Sequence, residues 1–583
     1  MANAAAPRSA PSPAARRAWQ WLGLPALCLL STLLLLNNEV LPLGAVRAED
    51  LASDYGLLTW NLWATTESAL RGESPYHTRL LYHPLGANLA VHTLGPGFAP
   101  LGILMRAVLG GRSDYPLYAH RLAIVVCFAL GMLLAYRALC AMGASAPAAV
   151  AGGVGWAFAA CWRLIVANQT LSAACFLLPA VTLGVVAFVR RPSTVRLAVL
   201  ALLVGAGVYF SEYFAVFIAA AVLVVALAAT TSSGTRAVLS RCAAAVGIKG
   251  AALAIAVGAL AVGPFLWAWS SADARPPKTR QIFAGGANLA GFVVPDPSLT
   301  PLYRGGFAAA LHARVSRGRA PFLGGPTILL GAVALVAARG RRTILLAVAS
   351  VFLILSLGPS LKVFGTQTGF PLPYATLMRV PPFQMARDPQ RLAIVGIWPL
   401  VCLAALGLTT LAGSLARRWG RAWGQVAVLI VTGWWAAEGS SSGHEPAAFV
   451  PPAALARIAP GAVVDVPLSL GDGLSMFLQV FHRRPIVSGY VSRVSLRQFE
   501  YISELQRLLD DDVPAFVRRM RAVGVNTVVL EPGMPEVIAA PLMSSGLAVV
   551  DLRAGVVGAA SVATAGWRRA PGVSRARPGG PSS

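Results

Sequence analysis

Charged residues are scarce in this chain of 583 residues: Asp, Glu, Lys and Arg together make up 12% of it. Soluble globular domains carry about a quarter, so the composition excludes a soluble enzyme. Hydrophobic residues make up 56% of the chain, and the mean hydropathy is +0.66. These values also exclude a disordered chain and are typical of a protein with many transmembrane segments.

Lysine is almost absent. Of 48 basic residues only Lys249, Lys278 and Lys362 are lysines, and 23 acidic residues leave a net charge of +25. A basic nucleic-acid-binding protein would carry its charge in dense runs on a polar background. Here single arginines and small groups separate apolar stretches. The pattern predicts membrane-orientation signals and phosphate partners, and no nucleic acid partner.

The seven cysteines lie in or beside apolar segments, and no two have C-x-x-C spacing. Zinc and thioredoxin-type motifs are therefore absent from the sequence, and a disulfide scaffold is excluded. We expect free cysteines in an apolar core.

Apolar runs predict the membrane domain, because a helix needs about 20 apolar residues to cross a bilayer. The segments that qualify are 19–38, 119–139, 144–162, 171–189, 194–211, 212–231, 245–268, 323–339, 343–358, 392–414 and 421–438. We expect the first to be a retained span and not a cleaved signal peptide. Segment 92–109, with Pro96, Pro100 and three glycines, is compatible with a span, a re-entrant segment or an interfacial one. The fold class is therefore an all-α polytopic membrane domain of about 11 or 12 transmembrane helices.

Arginines near span ends indicate the orientation. With a cytoplasmic N-terminus and eleven crossings, the groups around Arg137, Arg190, Arg236, Arg341 and Arg417 all face the cytoplasm. The outer face then carries the loops 39–118, 269–322 and 359–391 and the C-terminal region. The predicted location is the cytoplasmic (inner) membrane of a bacterium.

The sequence pattern changes after about residue 440, where short strands (462–466, 526–530, 547–552) and helices (496–509, 513–523) are predicted. The predicted organisation is a cytoplasmic basic tail (1–18), a transmembrane domain (19–438), a small extracytoplasmic α/β domain (439–565) and a disordered tail (566–583).

Acidic residues are the candidate reactive groups. Glu212 is the only one between Asp114 and Asp273, and an ionisable group within apolar spans favours a functional role; the alternative is an interfacial carboxylate that reaches water. The first outer loop opens with Glu49, Asp50 and Asp54. A carboxylate there suits a general base or a metal ligand. The alternative is a cap, Ser53 or Asp54, for an interfacial helix over 55–71.

Several patches carry a family resemblance. They are Asp54 with the Trp-rich stretch that ends in Arg71-Gly72-Glu73-Ser74-Pro75, Tyr82-His83-Pro84-Leu85-Gly86-Ala87-Asn88-Leu89, Pro295-Asp296-Pro297, Pro381 to Arg391, and Gly489-Tyr490-Val491-Ser492-Arg493. In this order they resemble the GT-C membrane glycosyltransferases and GT-C-like bacterial multispan proteins. The resemblance covers most of residues 19 to 550.

The resemblance implies a transferase that moves a sugar from a polyprenyl-phosphate donor to a glycan, lipid or protein acceptor of the cell envelope, with inversion. The first-loop carboxylate is then the catalytic base, and it maps to Asp54. Many family members have two adjacent acidic residues there, whereas Tyr55 follows Asp54 in this chain and the adjacent pair is Glu49-Asp50. Glu49 and Asp50 therefore remain candidates.

The donor phosphate requires cations, and arginine binds phosphate in a bidentate way. The outer-loop candidates are Arg387 and Arg391, then Arg304, Arg275, Lys278 and Arg280. Glu212 is a further substrate-binding candidate. His83, with His77 and His92 in the first loop, is a candidate for metal or phosphate binding. No cofactor is certain from the sequence, and a divalent metal is left open.

Two other functions fit a polytopic protein. A transporter or flippase of a lipid-linked glycan would need ionisable residues or broken helices near the midplane, commonly in repeated halves. The middle spans are nearly free of such residues, and no second half mirrors the first. A non-catalytic membrane scaffold, whose C-terminal domain binds a partner, is the other alternative.

Overall fold

A computed structural model describes residues 19–36, 40–46, 54–159, 174–273, 279–297, 300–315, 321–337, 342–384, 388–440, 447–448, 452–470, 473–531 and 534–553. The α-helices are α1 (Leu24–Leu35), α2 (Asp54–Arg71), α3 (Ala99–Val108), α4 (Tyr115–Met142), α5 (Ala146–Ala157), α6 (Leu177–Arg190), α7 (Thr194–Ala206), α8 (Glu212–Ala229), α9 (Ser233–Ser270), α10 (Thr279–Ala284), α11 (Gly306–Val315), α12 (Gly325–Ala337), α13 (Arg342–Ser356), α14 (Tyr374–Leu377), α15 (Pro381–Gln384), α16 (Ala393–Trp419), α17 (Arg421–Gly439), α18 (Gly473–His482), α19 (Leu496–Asp511), α20 (Val513–Ala522) and α21 (Glu536–Met543). The strands are β1 (Ala45–Val46), β2 (His77–Thr78), β3 (Ala87–Asn88), β4 (Ser360–Val363), β5 (Thr366–Pro371), β6 (Ala447–Ala448), β7 (Ala462–Val466), β8 (Val525–Leu530) and β9 (Ala548–Asp551).

The predicted helical membrane domain is confirmed. Each of the eleven predicted spans contains a helix, from α1 to α17. Within the described ranges, four helical segments are long and apolar enough to cross a membrane: Tyr115–Met142, Glu212–Ala229, Ser233–Ser270 and Pro389–Trp419. Shorter apolar helices of 10–17 residues accompany them.

Segment 92–109 forms the ten-residue helix α3. At a rise of about 1.5 Å per residue it is about 15 Å long, half the thickness of a hydrocarbon core. It packs against α2 and α4, and Nη1 of Arg106 lies 2.5 Å from Oε1 of Glu67 in α2. This segment is therefore too short to cross a bilayer alone and lies beside the first-loop helix.

Helix α16 is the centre of the bundle and packs against α5, α12, α13 and α17. Its first half, Ala393–Leu408, is almost entirely buried, as expected for a helix that is apolar all round. A 3-10 turn, Pro389–Leu392, leads directly into it. Arg391 therefore stands just before the start of a deeply buried helix.

The C-terminal region contains the predicted small α/β unit. Strands β7, β8 and β9 form a parallel sheet in the order β7-β8-β9, each within one residue of the predicted strand. Helices α19 and α20 match the predicted helices, whereas α18 and α21 were not predicted.

The expectation of an interfacial helix after Asp54 is wrong in one respect. A helix is present, but the twelve consecutive residues from Tyr55 to Thr66 are all buried. The reason is that α3 and α4 cover α2 on one side and α18 of the C-terminal region covers it on another. Only the end of the helix, at Leu70, presents a large apolar side chain to the outside.

Hydrogen bonds join the C-terminal region to the first loop. Trp60 Nε1 donates to Gln479 Oε1 at 2.6 Å, and Gln479 Nε2 donates to the carbonyl oxygen of Leu80 at 2.8 Å. The main chain at 80–83 also pairs with that at 486–488. The two regions therefore share one core and lie on the same face of the helix bundle.

Gln479→Ala tests this docking. The substitution leaves the Trp60 indole N–H and the Arg484 carbonyl oxygen without the partner they have in the folded protein, whereas the Leu80 carbonyl oxygen keeps its bond from the Ile486 N–H. An unsatisfied buried group costs about 1–3 kcal/mol. We expect a clearly lower melting temperature in detergent and faster proteolytic release of the C-terminal region. Gln506→Ala, which removes only an exposed bond to Asp510, should have little effect; equal behaviour of the two variants would contradict the docking role.

Candidate active site

A small polar cavity of about 50 Å³ lies on the face shared by the first loop and the C-terminal region. Five distant parts of the chain bring polar side chains to it, among them Asp54, Thr93, Ser211, Asp388, Arg391, Ser492 and Arg493. The sequence-predicted residues Asp54 and Arg391 therefore line the same cavity, although they are 337 positions apart in the chain (391 − 54). The long separation explains why no local pattern could reveal the pairing.

Asp54 is the first residue of α2 and is exposed, in contrast to Tyr55, which is completely buried. The Tyr55 ring contacts the His120 ring, with centroids 4.6 Å apart, and the Arg121 guanidinium lies 5.0 Å from its centroid. In this chain the position after Asp54 therefore anchors the helix to α4, while Asp54 itself faces the cavity.

Arg391 approaches the cavity from the turn before α16. Its guanidinium lies over the Tyr213 ring, 5.3 Å from the centroid, and Nη2 is 3.6 Å from Oδ2 of Asp388. A cation over an aromatic face is stabilised by the ring quadrupole, so the charge of Arg391 is held at a defined position.

Glu212 begins α8, next to the N-cap Ser211, whose hydroxyl accepts from the Phe214 N–H at 3.5 Å. The charges of Arg391 and Arg493 both act on the Glu212 carboxylate. Glu212 lines a second, apolar cavity, which lies between α7, α8 and α9. The carboxylate thus stands where the polar and the apolar cavity adjoin.

An apolar cavity of about 340 Å³ adjoins the polar one, between α7, α8 and α9. Its walls include Val208, Val216, Val262, Phe265 and Leu266. The two cavities share Tyr213, Phe217, Ser492 and Arg493. Walls of contrasting polarity therefore lie side by side, which suits the two parts of a molecule with a charged head and a hydrocarbon chain.

An open polar cleft of about 1000 Å³ lies on the same face, between residues 64–91 and 493–498. Its wall carries charged and polar side chains, among them Arg79, Asp273 and Arg497. Arg493 lines this cleft as well as both cavities.

Sequence reasoning missed the C-terminal contribution, Tyr490, Ser492 and Arg493. The patch 489–493 carried part of the family resemblance, yet no residue in it was singled out. The patch comes close to Asp54 only because the C-terminal region docks on the first loop. The His92–Ser492 contact in this docking joins residues that are 400 positions apart. In the sequence, only the family resemblance of this patch pointed to a role for these three residues.

Other predicted site residues lie elsewhere. His83 Nε2 is 2.7 Å from the Val523 carbonyl oxygen, so His83 belongs to the docking contact and not to the cavity. Arg304 is exposed beside Tyr303, which donates to Glu438 at the end of α17. His77 lines the open cleft.

Glu49, Asp50, Arg387, Arg275 and Lys278 lie outside the described residues, as does the side chain of Arg280. Among the side chains that the structure describes, no group of three or more His, Cys, Asp or Glu is placed to hold a metal ion.

His92 connects the first loop to this site. Its ring is buried, Nε2 is 3.0 Å from Oδ1 of Asn61, and the Ser492 N–H donates to Nδ1 at 3.1 Å. Burial lowers the pKa of His92 from 6.5 to about 3, because a charged ring would lose its hydration.

Comparison with solved structures gives the fold. The arabinofuranosyltransferase AftD from Mycobacteria is 16% identical with a TM-score of 0.55, over 90% of this chain and 37% of that chain. A second structure of AftD gives 16% identity and 0.52, over 86% and 35%. ArnT from Cupriavidus metallidurans, bound to undecaprenyl phosphate, is 14% identical with a TM-score of 0.45, over 84% and 88%.

The chain has a GT-C-like fold, as the resemblance implied. It spans little more than a third of the length of AftD. No protein-family model and no curated protein matches the sequence.

The lowered pKa of His92 predicts acid sensitivity. Below pH 6.5 the unfolded chain takes up a proton that the folded protein excludes down to about pH 3, so stability falls as the pH falls through this window. Between pH 7 and pH 5 the loss from His92 is about 2 kcal/mol. In His92→Asn the melting temperature should fall less over this interval than in the wild type. His77→Asn, at an exposed site on the same loop, should keep the wild-type slope; an unchanged slope in His92→Asn would contradict the assignment.

Proposed function

We propose that the protein is a membrane glycosyltransferase that transfers a sugar from a polyprenyl-phosphate donor to a cell-envelope acceptor, outside the cytoplasmic membrane. The observation that carries this proposal is the junction of a polar cavity containing Asp54 and Arg391 with an apolar cavity between membrane helices. A lipid-linked sugar phosphate has both characters in one molecule. A soluble nucleotide-sugar donor would have no use for the apolar cavity.

The positions of the arginines support an outward orientation of the site. Helix α16 begins beside Arg391 at the cavity and ends at Arg417 and Arg418, and α6 ends at Arg190, on the side of the bundle away from Ser211. Arginines near span ends favour the cytoplasm. We infer that the cavity faces the exterior, where nucleotide sugars are absent and lipid-linked donors are available.

The proposed reaction is a single displacement. The Asp54 carboxylate removes the proton of an acceptor hydroxyl as its oxygen bonds to the anomeric carbon. The bond from that carbon to the phosphate oxygen breaks, the polyprenyl phosphate leaves, and protonated Asp54 returns the proton to water. Attack opposite to the leaving group inverts the anomeric configuration.

The other side chains take supporting roles in this proposal. Arg391 stabilises the charge that develops on the leaving phosphate. Glu212, at the junction of the cavities, accepts hydrogen bonds from hydroxyl groups of the donor sugar. The hydrocarbon chain lies between α7, α8 and α9, where the walls are apolar.

Asp54→Asn tests the base. The amide keeps the shape of the side chain but cannot take the proton, and positioned general bases contribute about 10²–10⁴-fold to rates. Membranes from cells that lack the gene, complemented with each variant, would be given radiolabelled polyprenyl-phosphate sugars, and label in envelope polymers would be counted. We expect at least a hundredfold loss. The control Asp114→Asn changes an aspartate of the same loop that pairs with Arg112 and should retain transfer. Full activity of Asp54→Asn at normal expression would refute the role.

Val216→Trp tests the lipid cavity. Val216 lines the apolar cavity, and an indole there occupies space that the hydrocarbon chain needs. We expect binding of undecaprenyl phosphate to the detergent-solubilised protein, followed by native mass spectrometry, to weaken at least fivefold. Leu223→Trp is the matched control, since it lies two turns further along α8, is 58% exposed and is not part of the cavity wall. Equal binding by both variants would exclude this cavity as the lipid site.

A further inference from the structure

Arg493 occupies an unusual position, because it is part of the wall of the polar cavity, the apolar cavity and the open cleft. It comes from the C-terminal region, whereas Asp54, Glu212 and Arg391 come from the membrane domain and its loops. Its charge acts on Glu212 and Tyr213, the same two residues on which Arg391 acts. Arg391 and Arg493 also line the same polar cavity.

A leaving lipid phosphate needs more than one cation there. The Arg391 guanidinium has Asp388 at 3.6 Å, so part of its charge is already balanced inside the protein. A phosphate monoester carries between one and two negative charges near neutral pH, and charge-assisted bonds to arginine are the strong ones. A second arginine in the wall of the same cavity supplies further positive charge and further N–H donors.

The segment that carries Arg493 is held by a defined chain of hydrogen bonds. Asn61 Nδ2 donates to the Thr93 carbonyl oxygen at 2.7 Å, which leaves Asn61 Oδ1 as the acceptor facing His92 Nε2 at 3.0 Å. His92 Nε2 must therefore carry the proton, and Nδ1 must accept. The Ser492 N–H donates to Nδ1 at 3.1 Å, and the Ser492 hydroxyl lies at 3.1 Å from the same atom.

The next link reaches the guanidinium itself. Nη1 of Arg493 donates to the carbonyl oxygen of Ser492 at 2.6 Å. Ser492 is thus fixed at its N–H by His92 and at its carbonyl by Arg493. The Tyr490 ring contacts the His92 ring edge-on, with centroids 6.0 Å apart. This is a second contact between His92 and the segment that carries Arg493.

We propose that Arg493 binds the phosphate of the lipid donor together with Arg391, and that His92 is the positioning residue that fixes Arg493 through Ser492. The phosphate-binding part rests on the proposed function, whereas the positioning of residue 493 by His92 does not depend on any substrate. The C-terminal region then completes the site, and its docking on the first loop is a condition for binding the donor.

The binding experiment measures the affinity of the full-length protein for undecaprenyl phosphate. Arg493→Gln should weaken binding at least tenfold, and His92→Phe, which keeps a ring but removes both nitrogens, at least fivefold. The double variant should bind no more weakly than Arg493→Gln. His92→Asn, whose Oδ1 can replace Nδ1 as the acceptor, should recover most of the affinity. Additive losses in the double variant would overturn the positioning role.

Tyr501→Phe is the matched control. Its hydroxyl donates to the His83 carbonyl oxygen at 3.0 Å, so the variant removes one hydrogen bond of the same interface at a place outside the cavities. It should bind undecaprenyl phosphate like the wild type. If Tyr501→Phe and His92→Phe weaken binding equally, His92 has only a structural role and the inference fails.

A second measurement needs no substrate. Arg493→Cys would be labelled with a charged methanethiosulfonate reagent, and the rate compared in backgrounds carrying His92→Phe, His92→Asn or Tyr501→Phe. We expect at least a threefold change in rate with His92→Phe alone. If the wild type binds no undecaprenyl phosphate, the proposed function and the phosphate role of Arg493 both fail, while the labelling rates still decide the positioning role. An unchanged rate with His92→Phe would overturn that role.

Discussion

The burial of helix α2 between the membrane bundle and the C-terminal region is the constraint on which the site depends. Twelve consecutive residues of this helix are buried, so both of its sides need a protein surface. The bundle provides one and α18 the other. Because the buried polar groups at this junction, Trp60, Gln479 and the main chain at Leu80, bond to one another, the two regions have one favourable arrangement. That arrangement sets the distance from Asp54 to Arg493.

Because charged residues are scarce in this chain, the charged side chains of the site differ sharply from the apolar residues around them. With only 12% charged residues in the chain, polar side chains that gather at the end of an apolar bundle are costly unless they pair or bind a ligand. The cavity holds residues of both signs, among them Asp388 close to Arg391. The apolar walls next to it lower the local dielectric, and each charge there acts more strongly than it would in water.

The sequence predicted the elements better than their arrangement. Spans, strands and the helix after Asp54 follow from local periodicity, which a single chain displays directly. The full burial of α2 could not be predicted, because α18, one of the helices that cover it, lies about 420 residues later in the chain (479 − 60 = 419). Arg391 and Asp54 were identified by their residue type and by resemblance, whereas Arg493 acquires its place only through docking. His83, also within the resemblance, contacts Val523 because the same docking turns that segment toward the C-terminal region.

The region after α17 is thus part of the site, although its composition alone indicates a separate domain. A polar α/β segment at the end of a membrane protein is compatible with a separate appendage, joined by a linker and free to move. Here it shares a core with residues 46–117 and lines all three cavities through Arg493. Under the proposed function, a lipid in the apolar cavity and a polar molecule in the open cleft would both contact this side chain. The contact between the first loop and the C-terminal region therefore places one side chain in the walls of both the apolar cavity and the open cleft.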